Sequence, residues 1–182
     1  MRFVPTAVPD VILVEPDVFT DARGWFTETY HAEKFAKGGI NVTFVQDNRS
    51  YSKRGTLRGL HYQTRQPQGK LIQVVTGEVF DVVVDLRTSS PTFGRCVEVK
   101  LGADTKQQLW IPPGFAHGFY VLSDAADVSY KCTTLYAPEH ERTIRWDDPD
   151  LAINWPLVDG KPPIVSHKDA EGALFKEAEY FA

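Results

Sequence analysis

The stretch KLIQVVTGEVFDVVVDLR (70–87) constrains the fold more than any other. Around Thr76-Gly77-Glu78 it breaks into two apolar runs. In the second, Phe80, Val82, Val84 and Leu86 share one parity, while Val79, Asp81, Val83 and Asp85 share the other. A repeat of two is the repeat of a β-strand, whose successive side chains point to opposite faces. The signal continues downstream. Val97, Val99 and Leu101 alternate with Glu98 and Lys100, and Pro112-Pro113-Gly114 closes the run Leu109-Trp110-Ile111. The next predicted strand, Phe115 to Leu122, puts Phe115, His117, Phe119 and Val121 on one face. In Asp127 to Tyr136, the shared face carries Val128, Tyr130, Cys132, Thr134 and Tyr136.

The flanks are more varied. Val11 to Val14 reads as a strand closed by Glu15-Pro16, Phe19 to Gly24 as a turn, and Trp25 to Tyr30 as a strand. His31 to Lys37 carries a short helical pattern stopped by Gly38-Gly39. Thr43 to Asp47 reads as a strand that runs into a polar, loop-like Gln46-Asp47-Asn48-Arg49-Ser50. After Trp146 the chain turns irregular, and a short helix is expected within Ala170 to Tyr180, with Asp169 near its start. Many short strands, regular turns and little helix predict an all-β sandwich or closed barrel, and a jelly roll fits the strand count. No repeat or linker divides residues 1–182, so a single domain is expected.

Bulk properties narrow the partners. A net charge of -4 argues against a general nucleic-acid binder. An anionic ligand would need a local basic cluster. MRFVPTAVPDVILVEP is broken by Pro5 and Pro9 and has no apolar run long enough for a signal peptide or membrane span. The two cysteines, Cys96 and Cys132, form no CxxC or zinc pattern, so a reduced, cytoplasmic protein is the simplest expectation.

GTLRGLHYQTRQPQGK (55–70) supplies such a cluster: Arg58, Arg65 and Lys70 around His61, with Gly55 and Gly59 read as tight turns. A lone histidine is more often structural, and basic clusters are often merely solvated, so this stretch alone leans that way. His31, His61, His117, His140 and His167 are scattered with no HxH pair, which argues against a metal site on ligand spacing. A G-x-S-x-G elbow, a P-loop and a G-x-G-x-x-G are all missing. Acid–base chemistry remains, with His61 as base, Tyr130 as acid, Asp169 as a carboxylate orienting the histidine, and Arg23, Arg58 and Lys70 holding an anion. Spacing alone does not establish these pairings.

Longer segments carry more. DARGWFTETY (21–30), QDNRSYSKRGTLRGLHYQ (46–63), QGKLIQVVTGEVFDVVVDLR (68–87), SPTFG (90–94), QLWIPPGFAHGF (108–119), YKCTTLYAPEHE (130–141) and IRWDDP (144–149) resemble, in order, the dTDP-4-dehydrorhamnose 3,5-epimerase family. INWP (153–156) and SHKDA (166–170) extend the likeness into the tail. The resemblance implies a cupin-type jelly roll (a double-stranded β-helix) with short flanking helices, and a homodimer. It also implies cofactor-free epimerisation of dTDP-4-dehydro-6-deoxy-glucose to dTDP-4-dehydro-L-rhamnose. By the family's pattern His61 takes the proton, Asp169 is its partner, Tyr130 donates, and Lys70 sits near the developing oxyanion. Arg23 and Arg58 match diphosphate ligands. Glu28, Gln46, Asp47, Asn48 and His117 match positions lining the nucleotide-sugar site, and Glu141 and Lys168 match outer binding positions. Tyr136 and Phe19 are expected to sandwich the thymine. The segment bearing Arg23 and Glu28 is expected to reach across the dimer. One departure stands out: His167 replaces an acidic or neutral residue common in the family's tail.

Three other functions fit parts of this pattern. A related single-centre epimerase or ketoisomerase shares the base and nucleotide site. A non-catalytic sugar-nucleotide-binding barrel would not need His61, Tyr130, Asp169 and Lys70 together. A metal-dependent cupin dioxygenase is the weakest fit.

Overall fold

A computed structural model describes residues 1–182. Thirteen strands dominate: β1 (Arg2–Pro5), β2 (Ile12–Glu15), β3 (Val18–Asp21), β4 (Gly24–Thr27), β5 (Gln46–Lys53), β6 (Leu57–Gln63), β7 (Lys70–Thr76), β8 (Glu78–Asp85), β9 (Cys96–Gly102), β10 (Gln108–Ile111), β11 (Phe115–Val121), β12 (Ala125–Cys132) and β13 (Glu141–Thr143). Two helices join them, α1 (Ala32–Lys37) and α2 (His167–Ala170). One sheet runs β1-β2-β10-β7-β12-β5, the other β13-β6-β11-β8-β9, and β3 and β4 form a separate hairpin. Pairing between these strands is antiparallel throughout. This is the cupin-type jelly roll that the resemblance implied.

Apolar alternation explains the layers. Ile72 and Val74 of β7, Leu109 and Ile111 of β10 and Val128 of β12 meet Val79 and Val83 of β8 and Phe115, Phe119 and Val121 of β11 between the sheets. The other parity of β8 is buried as well. Val82 and Val84 pack with Leu60, Tyr62 and Leu86 under a tail that contributes Trp155, Phe175, Tyr180 and Phe181. A strand covered on both sides reads as a nearly continuous apolar run, which is how 78–86 reads. On the outer side of the first sheet, Phe35 of α1 closes over Val14, Leu71 and Trp110.

Several expected elements differ. Gln46-Asp47-Asn48-Arg49-Ser50 is not a loop but most of β5, and 43–45 is not strand. Gln46, Asn48, Ser50 and Ser52 face inward, whereas Asp47, Arg49, Tyr51 and Lys53 are exposed. The strand was hidden because its inner face lines a polar cavity and carries no apolar side chain. Residues 19–21 belong to β3, not to a turn, and β4 stops at Thr27, where its only partner ends. β12 ends at Cys132, so Thr134 and Tyr136 leave its face. Thr133 bonds Gly69, and Tyr136 N donates to Gln46 Oε1, drawing the chain across the cavity mouth. The expected tail helix is reduced to a 3-10 turn at Phe175–Glu177. α2 lies earlier than expected, with Ser166 capping Asp169 N.

Gly59 does not make the expected tight turn; it lies within β6. With φ +125, a Cβ there would lie 2.5 Å from Gly118 Cα and 2.7 Å from the His117 carbonyl. Only glycine permits β6 and β11 to approach this closely. A bulge between His117 and Phe119 sits at the same place.

Candidate active site

The jelly roll opens into a cavity of about 350 Å³ between the two sheets. Nine of the sequence-predicted residues line it: Gln46 and Asn48 from β5, Arg58 and His61 from β6, Lys70 from β7, His117 from β11, Tyr130 from β12, and Tyr136 and Glu141 from the chain over the mouth. Strand parity places them. On β12 Tyr130 lies beside Asn48, and Cys132 beside Lys70 and Gln46. On the facing sheet His61 lies beside His117. His61 and Tyr130 therefore project from opposite walls.

His61 has one committed partner. Its Nε2 lies 2.5 Å from Asp169 Oδ1, and α2 holds that carboxylate from behind the strand. Burial alone would push the Asp169 carboxyl up. The His61 hydrogen bond and charge, helped by Ser166 and the Gly59 backbone, outweigh burial and hold it below the ordinary carboxylate value. Asp169 engages the Nε2 side of the ring, and no hydrogen bond to Nδ1 is made within the protein. A second pair lies beside it: His117 Nε2 sits 2.9 Å from the fully buried Asp81.

Tyr130 and Lys70 have their ionisation set by burial. It pushes the Tyr130 phenol up, with Cys132 adding to the shift, which keeps the proton on the oxygen. It pushes the Lys70 amine down, partly offset by Cys132, Glu141 and Asp81. At the mouth Tyr136 donates to Glu141 Oε2 at 2.6 Å, and that bond raises the Tyr136 phenol to about 12. Burial would raise the Glu141 carboxyl, but Lys168, Tyr136 and His61 lower it overall. Lys168 sits outside the cavity as the ion-pair partner of Glu141.

Four predicted residues lie elsewhere. Asp47 has the wrong parity on β5 and pairs with Lys131 on the outer surface, which corrects its expected place lining the site. Phe19 and Arg23 line a separate recess on the β3–β4 hairpin, where Asp21 binds Arg23. Glu28 is held by Lys34 at 2.7 Å. Within one copy of the chain, Phe19 therefore does not face Tyr136 across the cavity. The sequence reading missed Ser50, Gln63, Gln68 and Phe119, all on the cavity wall. Two-residue spacing from Asn48, His61 and His117 is the signal that could have found Ser50, Gln63 and Phe119. No group of three or more His, Cys, Asp or Glu side chains is arranged to hold a metal ion.

A β-sandwich cavity with a histidine–carboxylate pair on one wall and a protonated tyrosine on the other defines a class of acid–base barrels. The sequence profile of the dTDP-4-dehydrorhamnose 3,5-epimerase family matches residues 5–177, and the chain belongs to that family. A protein of that name from Pseudomonas aeruginosa is 56% identical over 182 residues, covering 100% of this chain and 99% of its own. The crystal structure of dTDP-6-deoxy-D-glucose-3,5-epimerase from Legionella pneumophila, in complex with dTDP-4-keto-L-rhamnose, is 50% identical. It superposes with a TM-score of 0.94, covering 98% of this chain and 94% of that one. A 3'-monoepimerase from Streptomyces bikiniensis in complex with dTDP-quinovose is 35% identical, with a TM-score of 0.87 over 96% of this chain and 87% of that one.

Proposed function

We propose that this chain converts dTDP-4-dehydro-6-deoxy-glucose to dTDP-4-dehydro-L-rhamnose by inverting C3 and C5. Both carbons flank the C4 ketone, so removing either proton leaves an enolate with its charge on the C4 oxygen. Return of a proton to the opposite face inverts the centre. The observation that carries this reading is the opposed placement of His61 and Tyr130, with Lys70 next to the tyrosine strand in the same cavity.

In this reading His61 Nδ1 removes the proton, and Asp169 holds the ring and balances the charge it gains. Tyr130, kept protonated by burial, delivers from the other wall. Such an acid–base pair typically supplies about 10²–10⁴-fold. Lys70 hydrogen-bonds the C4 oxygen as charge builds there, a contribution of about 10²–10³-fold for one well-placed donor. Arg58 binds the diphosphate with its planar fork. Gln46, Asn48 and His117 fix the sugar nucleotide, and Tyr136 stacks on thymine, with Glu141 and Lys168 bracing it.

Arg23, Glu28 and Phe19 are assigned to a site completed by a second copy, in a cytoplasmic homodimer. Exposed Phe19, Trp25 and Phe26 on the hairpin favour that assembly, being 63, 59 and 68% accessible. Unpaired thiols at Cys96 and Cys132 suit a reducing compartment.

The test is NMR of the 4-keto substrate with the protein in D₂O. Deuterium is expected at both C3 and C5, with the L-rhamno product trapped by a reductase. Label at one carbon alone would indicate a mono-epimerase, and none at all would sink the proposed reaction.

A further inference from the structure

One cavity group is left without a partner. Along the inner face of β5, Gln46 Nε2 donates to Asn48 Oδ1 at 3.0 Å, Asn48 Nδ2 to Cys132 Sγ at 3.5 Å, and Ser52 Oγ accepts from Arg58 Nε at 2.9 Å. Ser50 lies between Asn48 and Ser52 on that face and lines the cavity, yet its buried Oγ has no partner in the protein. A hydroxyl shut away from water with nothing to bond is costly, and native structures rarely keep one without a reason. Its surroundings offer no protein remedy. In register Ser50 lies beside Val128, which in turn lies beside Val74, so its own row of the sheet is otherwise apolar. One residue pair along, Tyr130 faces Asn48.

We propose that Ser50 is a specificity-determining residue whose hydroxyl binds the C2 hydroxyl of the substrate's hexose, an inference that rests on the epimerase reading above. The chemistry of that sugar selects the group. C1 carries the diphosphate, C4 is a ketone, and C6 is a methyl. Only C2 and C3 bear free hydroxyls, and C3 inverts during the reaction. A rigid contact to the C3 hydroxyl would have to break as its carbon changes hand. The C2 hydroxyl keeps its configuration through both inversions, so it is the point on the ring that a fixed side chain can hold throughout. Ser50, on the tyrosine wall, then anchors the ring while C3 and C5 are presented in turn.

The test compares dTDP, dTDP-glucose and dTDP-2-deoxyglucose by calorimetric titration with wild type, Ser50→Ala and Ser50→Thr. In wild type, loss of the 2-hydroxyl should weaken binding about fivefold, the size of one neutral hydrogen bond. In Ser50→Ala the two sugar nucleotides should bind alike, dTDP affinity should stay at its wild-type value, and Ser50→Thr should restore part of the difference. A 2-hydroxyl preference absent from wild type, or undiminished in Ser50→Ala, overturns the proposal. So does equal weakening of dTDP itself, which would put the hydroxyl on the phosphates. Exchange in D₂O, run on the same wild-type preparation, separates the two claims. A protein that discriminates the 2-hydroxyl but exchanges neither C3 nor C5 refutes the epimerase reading while leaving the Ser50 contact standing.

Discussion

At the scale of single residues, the two walls of the cavity make separable contributions. His61→Ala should abolish deuterium exchange at both C3 and C5 while leaving dTDP binding nearly intact, because thymine and diphosphate are held by other side chains. Surviving exchange at C3 would mean a second base. Tyr130→Phe should slow inversion much more than exchange, since removal and return on the His61 face need no acid opposite. Equal losses in both would make Tyr130 a positioning group. Residue types made His61 and Tyr130 legible as candidates for proton chemistry and Lys70 as a candidate for holding an anion. Asp169 was legible as a candidate partner from its residue type, but its pairing with His61 rested on the family likeness, because nothing in a separation of 108 residues announces a contact at 2.5 Å. Asp47 was misplaced for a physical reason. It adjoins two cavity residues in sequence, and in a strand adjacency means the opposite face.

At the scale of elements, the segment after β8 shows how the tail is fastened. The fully buried Asp85 accepts from Arg87, Ser90 and Thr92, and Arg87 also pairs with Asp10. Thr88 N and the Phe181 carbonyl then join this turn to the C-terminus at 2.8 Å. Burial would raise the Asp85 carboxyl, but the Arg87, Thr92 and Ser90 bonds bring it down to about 2. A depressed carboxyl contributes stability above its unfolded value and loses it as pH falls toward the folded one. Here that is about 2 kcal/mol at neutral pH, roughly half of it gone by pH 3. Urea titrations of wild type and Asp85→Asn should therefore show a gap that is constant from pH 7 to 5 and narrows below about pH 4. A gap independent of pH would remove the ionised carboxylate from the account. The core strands were readable because their apolar parity survives in sequence. β5 was not, and neither was the tail. Trp155, Phe175 and Tyr180 follow no helical or strand period, being spaced to cover an existing sheet.

For the whole molecule, the β3–β4 hairpin is the part that stands apart from both sheets. It carries predicted ligands away from the cavity and exposes three large aromatic side chains. Phe26→Ser should shift sedimentation from dimer toward monomer and raise KM through loss of Arg23 and Glu28 from the second site, with the His61–Asp169 pair untouched. An unaltered dimer with altered KM would place the hairpin in ligand binding alone. The jelly roll as a type was legible from strand count and turns. The homodimer is an expectation that comes from the resemblance, and the exposed aromatics of the hairpin are consistent with it. β5 gives the molecule a particular genetic fragility. Its inner and outer faces carry different chemistry on alternate residues, so deleting one codon there and sliding the strand to compensate would turn Asp47, Arg49 and Tyr51 toward the cavity and Asn48 and Ser50 away. Lineages of this protein should therefore tolerate length changes in the hairpin turn at 21–24 far more readily than between positions 46 and 53. β5 can drift by substitution but scarcely by insertion.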